Sequence, residues 1–141
     1  LLIWQTSNLW QSKVRQKLKS SNITINEYLI LETIYLLQEK TSFISQRDIC
    51  KTASIDSSVV SIRVSRLEEK NLITKDQPQD KRTDSLILTS KGNILINNVI
   101  DVIHNQEKEM FDKLGSEIFN FTNSLKLLLG KKIRIKAKLN D

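Results

Sequence analysis

The charged run Asp80-Lys81-Arg82 lies in the polar stretch "QPQDKRTDS", close to the chain's only proline. Lysine and arginine side chains at the tip of a loop can bind phosphate oxygens or enter the minor groove of a duplex. Asp80 can hold the neighbouring arginine in position and prevent it from collapsing onto the protein. The stretch therefore predicts a polyanion-binding loop with Lys81 and Arg82 as contacts and Asp80 as the residue that orients them.

Composition and charge narrow the function. The chain has 141 residues, a net charge of +6 and a pI near 9.5. This positive charge indicates that the protein binds a polyanion; the alternative is a soluble basic protein that binds none. The low fractions of hydrophobic (39%) and aromatic (6%) residues suit a chain that completes its core against a second copy. A single cysteine, Cys50, excludes an internal disulfide and a thiolate zinc site. We expect no metal and no cofactor.

The sequence lacks the patterns that are typical of two further classes, membrane proteins and enzymes. The chain has no apolar run of membrane-spanning length, so we expect no membrane partner. It also has no glycine-rich phosphate loop, no nucleophile elbow and no paired catalytic carboxylates. We therefore expect that the protein is not an enzyme.

Helix-start motifs organise the first half of the chain. Residues 1–20 have the apolar periodicity of a helix. A capping box at Thr24–Glu27 opens a second helix that is predicted to run to about Lys40. The same spacing at Ser45–Asp48 opens a short helix that ends near Thr52.

The next helix begins after Asp56 and has two different faces. At 100° per residue, Val60, Val64 and Leu67 share one face, which must be buried. The other face is rich in hydroxyl groups and carries arginines, and Asn71 can take the left-handed conformation that ends a helix. Two helices joined by the tight turn "KTASID" form a helix-turn-helix, whose second helix fits the major groove. The predicted DNA contacts of the two helices are Ser45, Gln46, Ser57, Ser58, Val59, Ser61, Ile62, Arg63, Ser65 and Arg66.

Two short β segments, "LITK" and "SLILT", flank the loop 77–84 and complete a winged helix, in which Lys75 joins Lys81 and Arg82 as a predicted contact. Residues 24–92 resemble the MarR family of bacterial transcription regulators. The resemblance rests on the Asp-x-Arg wing, the Leu-Thr-x-x-Gly segment that leads into the next helix, and Leu-Glu-x-x-x-Leu-Ile at the end of the recognition helix. The sequence departs from the family pattern at Asn71, where a glycine is usual, and at Ile62-Arg63, where a basic residue commonly precedes an apolar one.

The resemblance implies a fold and a set of partners. The fold would be mainly α with a small β-hairpin wing, residues 23–92 forming the DNA-binding domain and residues 1–22 and 93–141 the dimerisation region. The protein would be a cytoplasmic, nucleoid-associated homodimer that binds double-stranded DNA at a pseudo-palindrome. Family members often bind a small aromatic or phenolic ligand between the two regions. Alternative functions are a protein-interaction, RNA-binding or architectural nucleic-acid module without a ligand response.

The C-terminal third has the pattern of further helices. A long helix is predicted from Asn93 to Leu114, ending at Gly115, with Ser116 as the cap of the next one. Beyond Gly130 we favour a frayed helical extension, although "KKIRIKAKLND" also fits a solvated basic tail or a strand. The apolar stripe of the long helix comprises Leu95, Val99, Val102 or Ile103, Met110 and Leu114. The predicted two-fold interface joins the first helix to residues 114–139 and buries Trp4 or Trp10, Phe119, Phe121 and Leu128.

The apolar residues on the recognition helix predict what it reads. Val59 and Ile62 cannot form hydrogen bonds, so in the groove they would contact thymine methyl groups. Serines hydrogen-bond without a strong base preference, and Arg66 would hold a phosphate or a single guanine. This pattern predicts an A·T-rich operator. The alternative is that Val59 and Ile62 pack on the wing or on a neighbouring helix.

Overall fold

The computed structural model describes residues 1–135, and residues 136–141 lie outside the described part of the chain. Residues 1–106 form one compact unit and residues 107–141 a second. The fold is mainly α with one β-hairpin, as the sequence predicts. The elements of residues 1–135, in chain order, are α1 (Leu2–Leu18), α2 (Ile25–Leu37), α3 (Gln46–Ala53), α4 (Ser57–Glu69), β1 (Ile73–Asp76), β2 (Ser85–Leu88), α5 (Ser90–Phe111) and α6 (Ile118–Leu128), with 3₁₀ turns at Lys19–Ser21 and Asp112–Glu117.

The core of the first unit is built from one apolar face of each element. Val60, Val64 and Leu67 of α4 are fully buried, which confirms the predicted inner face of this helix. They join buried side chains of α1, α2, α3, α5 and the hairpin in a single cluster. No helix within residues 1–135 is both long enough and apolar enough to cross a membrane.

Side-chain caps fix where the three helices of the DNA-binding half begin. Both predicted capping boxes are present, Thr24 with Glu27 on α2 and Ser45 with Asp48 on α3. The Asp56 carboxylate accepts a hydrogen bond from the backbone N–H of Ser58 at the start of α4 (2.9 Å). Each cap satisfies N–H groups that have no partner inside the helix.

Two of these caps depend on pH in a defined direction. Hydrogen bonds from Ser45 lower the pKa of Asp48, and hydrogen bonds from Ser58 lower the pKa of Asp56. A lowered folded-state pKa stabilises the fold above the ordinary carboxyl pKa, and this contribution is lost as the pH falls through the lowered value. Both caps are therefore intact at neutral pH and weaken only in acid.

The end of α4 shows why asparagine can stand at position 71. Asn71 adopts the left-handed conformation with φ of 57°. Its N–H donates to the Glu68 carbonyl (2.8 Å), and the Leu72 N–H donates to the Leu67 carbonyl (2.9 Å). This pair of bonds is the Schellman pattern, which ends a helix and turns the chain. The chain passes directly from α4 into β1.

The hairpin is antiparallel, with Ile73 opposite Leu88 and Asp76 opposite Ser85. It is fixed to the rest of the unit at Ile44, which precedes α3. The Leu86 N–H donates to the Ile44 carbonyl (2.8 Å), and the Ile44 N–H donates to the buried Ser85 hydroxyl (3.1 Å). The base of the wing is therefore held at a set distance from the helix-turn-helix.

The Leu-Thr-x-x-Gly segment has a physical role at each polar position. The Thr89 hydroxyl donates to the Asn71 carbonyl (2.7 Å) and accepts from the Gly92 N–H (3.0 Å), so Thr89 caps α5. A Cβ atom on Gly92 would lie 1.9 Å from the Leu72 carbonyl oxygen. The first turn of α5 therefore touches the backbone that enters β1, and only glycine leaves room for this contact.

Several predicted boundaries are wrong. The second helix ends at Leu37 rather than near Lys40. The α-helical part of the long helix ends at Phe111 and a 3₁₀ turn follows, but the helical conformation breaks at Gly115 (φ of 54°, ψ of −127°), as predicted. Ser116 lies inside that turn, and α6 begins after Glu117 without a side-chain cap. On α5, Ile96 is fully buried although the predicted stripe omitted it.

The predicted helical extension past Gly130 is also wrong for residues 131–135. Gly130 has φ of 66°, its N–H donates to the Leu127 carbonyl (3.0 Å), and the Lys131 N–H donates to the Lys126 carbonyl (2.7 Å). This second Schellman motif ends α6 at Leu128, and residues 131–135 have no helix or strand. The rest of the predicted extension lies outside the described residues.

Candidate nucleic-acid interface

The exposed side of α4 contains most of the predicted base contacts. Ile62 is 61% exposed, so it does not pack on the wing or on a neighbouring helix within the chain. Val59 is half-buried and stands at the edge of this surface. We call the exposed set the outer face of α4; its members are Ser57, Ser58, Ser61, Ile62, Ser65 and Arg66.

The serine hydroxyls differ in how free they are to contact a base. Ser58 donates its hydroxyl to the Asp56 carboxylate, and Ser65 donates to the Ser61 carbonyl (3.2 Å). Ser45, the N-cap residue of α3, donates to Asp48 (2.7 Å). Their oxygens can still accept a hydrogen bond, but donating to DNA would break a cap or a helix contact. Within the described chain, Ser57 and Ser61 are exposed and their hydroxyls have no such bond.

The basic residues around α4 are paired with acids of the same unit. Arg66 lies 2.9 Å from Glu69 on the next turn, and both side chains are well exposed. Lys75 of β1 lies 2.7 Å from Glu68. Arg63 is half-buried with its guanidinium 3.8 Å from Glu27, so it faces the protein rather than the outer face. A phosphate that binds Arg66 or Lys75 therefore competes with a carboxylate of the protein.

A buried carboxylate connects the recognition helix to α2. Glu27 is 1% exposed, and one of its oxygens accepts from the Thr24 N–H (3.0 Å) and from the Lys70 ammonium (2.8 Å). Lys70, at the end of α4, also donates to the Asn22 carbonyl between α1 and α2 (2.8 Å). Glu27 with its two cations, Lys70 and Arg63, forms what we call the Glu27 node. It fixes both the middle and the end of α4.

The wing places its basic tip beside the start of α3. The Lys81 ammonium lies 5.3 Å from the centre of the Phe43 ring, within the range of a cation–π contact. Arg82 is exposed and lines a cleft of about 620 Å³ whose other wall includes Ser45, Gln46 and Arg47 at the start of α3. This cleft brings together three predicted contacts, Ser45, Gln46 and Arg82.

Arg47 is a candidate contact that sequence reasoning missed. It is exposed in the first turn of α3 and lies across the cleft from Arg82. Its position directly after Gln46 in a capping-box helix is the signal that could have identified it, because helix N-termini bind phosphates. No hydrogen bond or ion pair joins Asp80 to Arg82 among residues 1–135, so the orienting role of Asp80 stays a prediction.

Comparison with known proteins agrees with this geometry. Residues 21–83 match the model of the MarR family. The chain is 26% identical over 129 residues to the uncharacterized HTH-type transcriptional regulator YdcH of Bacillus subtilis (strain 168), covering 91% of this chain and 87% of YdcH. It superposes with a TM-score of 0.80 on the Staphylococcus aureus MepR–DNA complex, at 24% identity over 92% of each chain.

A third relative is CouR of Rhodococcus jostii RHA1, solved with bound p-coumaroyl-CoA. Its TM-score is 0.78 at 18% identity, covering 96% of this chain and 93% of CouR, which shows a shared fold. The resemblance, the winged helix and the matched family model agree with one another. Over the matched residues 21–83, the chain therefore has the sequence pattern and the winged helix of MarR-family DNA-binding transcriptional regulators, which are not enzymes.

Proposed function

We propose that the protein is a homodimeric, sequence-specific regulator that binds a pseudo-palindromic, A·T-rich operator in the bacterial cytoplasm. The observation that carries this proposal is the outer face of α4. Its one large exposed apolar side chain is Ile62, whereas the nearby arginines are paired with acids. Apolar contact with thymine methyl groups is then the available direct readout, and Arg82 would add minor-groove shape from the wing.

The methyl readout can be tested by replacing thymine with uracil, which removes only the methyl group. In an operator obtained by selection from random duplexes, we expect one or two positions per half-site to lose about 0.5–1 kcal/mol of binding free energy. The loss should disappear in Ile62→Ala, because the contacting side chain is then absent. Ser61→Ala, on the same face, should retain it. An operator that is indifferent to uracil at every position would contradict the proposal.

The wing makes a separate prediction. We expect Arg82→Ala to weaken operator binding about tenfold, or ~1.4 kcal/mol, because an exposed guanidinium that enters a narrow minor groove is lost. Arg82→Lys keeps the charge but not the planar fork, so it should restore only part of the affinity. Fluorescence anisotropy on labelled operator gives both values. A change below about twofold in Arg82→Ala, with Lys113→Ala as the charge-matched control, would show that the wing does not bind DNA.

A homodimer is supported by apolar side chains that the single chain leaves exposed. Trp4 on α1 is 66% exposed and Leu128 on α6 is 79% exposed. Trp10, Phe119 and Phe121 are half-buried, and the rings of Phe111 and Phe121 lie 5.8 Å apart. A second copy would bury these surfaces and place two recognition helices about one DNA turn apart, ~34 Å. Light scattering that gives a monomer mass at micromolar concentration would overturn this part of the proposal.

A ligand response is supported by a cleft between α1, α2 and α4. The cleft has a volume of about 300 Å³, and its lining includes Trp10, Arg15 and Arg63. An indole ring and two guanidinium groups suit a small aromatic or phenolic acid, and CouR binds an aromatic acyl-CoA. We expect p-coumaric acid to quench Trp10 fluorescence in a Trp4→Phe background and to release DNA, and Arg15→Ala to prevent both. Absence of quenching up to about 1 mM would exclude this class of ligand.

A further inference from the structure

Positive charge is unevenly distributed along the chain. Residues 118–141 contain six of the 22 lysines and arginines but only one of the 16 aspartates and glutamates. Residues 1–117 are left with 16 basic and 15 acidic side chains, which is close to neutral. The winged helix, residues 23–92, contains ten residues of each sign, whereas residues 1–22 contain four basic and no acidic side chains. The net positive charge therefore lies at the two ends of the chain and not in the winged helix.

Ion pairing increases this contrast. In the winged helix, Arg63, Arg66, Lys70 and Lys75 each lie within 4 Å of a carboxylate. We call Lys131, Lys132 and Arg134 the basic segment. All three are exposed, and within residues 1–135 none of them has an acidic partner. These side chains are therefore available to neutralise the phosphates of a polyanion, which releases the cations condensed on it.

The backbone of the basic segment is held on α6. The Schellman motif at Gly130 directs the chain back along the helix. Asn123 of α6 then accepts from the Arg134 N–H (3.1 Å) and donates to the Arg134 carbonyl (2.7 Å). These two bonds fix the backbone of Arg134 on α6, so the basic segment is positioned by the helix.

We propose that the basic segment is a second DNA-binding site, which binds the phosphates of duplex DNA without regard to sequence. This inference rests on the proposed function in one respect. DNA is taken as the partner because the winged helix is proposed to bind it. The near-neutral winged helix supplies base readout, whereas the basic segment supplies most of the sequence-independent attraction. Lys136 and Lys138 extend the same run in the sequence.

The test compares two charge-matched variants of the full chain. One carries Lys131→Gln, Lys132→Gln and Arg134→Gln. The control carries Lys13→Gln and Lys17→Gln on α1 and Lys19→Gln in the 3₁₀ turn that follows it, which removes the same charge from the other acid-free segment. Anisotropy titrations on a random duplex and on the selected operator, from 50 to 200 mM salt, give the slope of log K against log salt. Light scattering and circular dichroism are used to check that both variants keep the wild-type mass and fold.

We expect the basic-segment variant to lose at least tenfold in affinity for the random duplex at 50 mM salt. Its slope should fall by about 0.9 for each lost phosphate contact, or roughly 3 for the segment of one subunit. The operator and the random duplex should lose affinity by the same factor, which leaves their ratio unchanged, and the α1 control should remain close to wild type.

Two outcomes would overturn the inference. One is a salt slope that is equal in the basic-segment variant and the α1 control. The other is an unchanged slope together with a loss of binding to phosphatidylglycerol vesicles, which would make the partner a lipid surface. If the wild-type protein bound the operator and the random duplex with equal affinity, the proposed operator readout would be rejected. The salt slopes of the two variants would still decide the role of the basic segment.

Discussion

Gly92→Ala should be among the most damaging single-methyl changes in the chain. The added Cβ would lie 1.9 Å from the carbonyl oxygen and 2.9 Å from the carbonyl carbon of Leu72, and both are backbone atoms that a rotamer change cannot move. We expect the free energy of unfolding to fall by about 3 kcal/mol. For a chain of this size that lowers Tm by about 10 °C in a thermal melt followed by circular dichroism.

Whether Gly92→Ala destabilises or stabilises the fold distinguishes two explanations for the glycine at position 92. Alanine is a better helix former than glycine by about 1 kcal/mol, so a glycine retained for no steric reason would give a more stable variant. Ser90→Ala, at the exposed first position of α5, is the matched control and should change Tm little. A Gly92→Ala protein at least as stable as the wild type would refute the close contact between α5 and the entry to β1. Since Leu72 leads into the wing, the variant should also lose operator affinity.

Glu27→Ala is the second change for which a large effect is expected. Removing the carboxylate opens the capping box of α2 and leaves Lys70 and Arg63 without their shared anion. Loss of one partner of a buried pair costs about 3–5 kcal/mol. Because both cations remain about one-third exposed, we expect a smaller loss than this, ~2–3 kcal/mol, in urea unfolding.

Two further variants identify the cause of this loss. Glu27→Gln keeps an oxygen that can accept from the Thr24 N–H but removes the charge, so it should show an intermediate loss. Glu39→Ala removes an exposed glutamate beyond the end of α2 and should stay within about 0.5 kcal/mol of wild type. If Glu27→Ala behaves like Glu39→Ala, the Glu27 node does not hold α4 in place. If it does hold α4, both Glu27 variants should also bind operator more weakly, because the recognition helix is less fixed.

Features set by neighbouring residues could be predicted from the sequence. The caps at Thr24, Ser45 and Asp56 each depend on residues two or three positions apart. Asn71 accepts the left-handed conformation through its own backbone, and the hairpin follows from two short apolar runs on either side of a polar loop. The inner face of α4 follows from helical periodicity alone. These local rules placed the helix-turn-helix and the wing correctly.

Features that depend on contacts between residues distant in the sequence could not be predicted in this way. Glu27 meets Arg63 and Lys70 only because α2 packs on α4, which the sequence pattern does not show. The role of Arg47 depends on the wing that faces it across the cleft. At Gly130 the leucine spacing favoured a longer helix, whereas two backbone hydrogen bonds of the Schellman motif ended it.

The ion pairs of α4 also affect how the protein would respond to ionic strength. Arg66 and Lys75 already have anions of their own in Glu69 and Glu68, so a DNA phosphate that binds them exchanges one anion for another. The phosphate still releases its condensed cations, but the carboxylate set free attracts cations in turn, so fewer ions are released in total and the equilibrium depends less on salt. Base recognition by α4 should then persist at salt concentrations that abolish non-specific binding. Operator selectivity would therefore rise with salt even as total affinity falls.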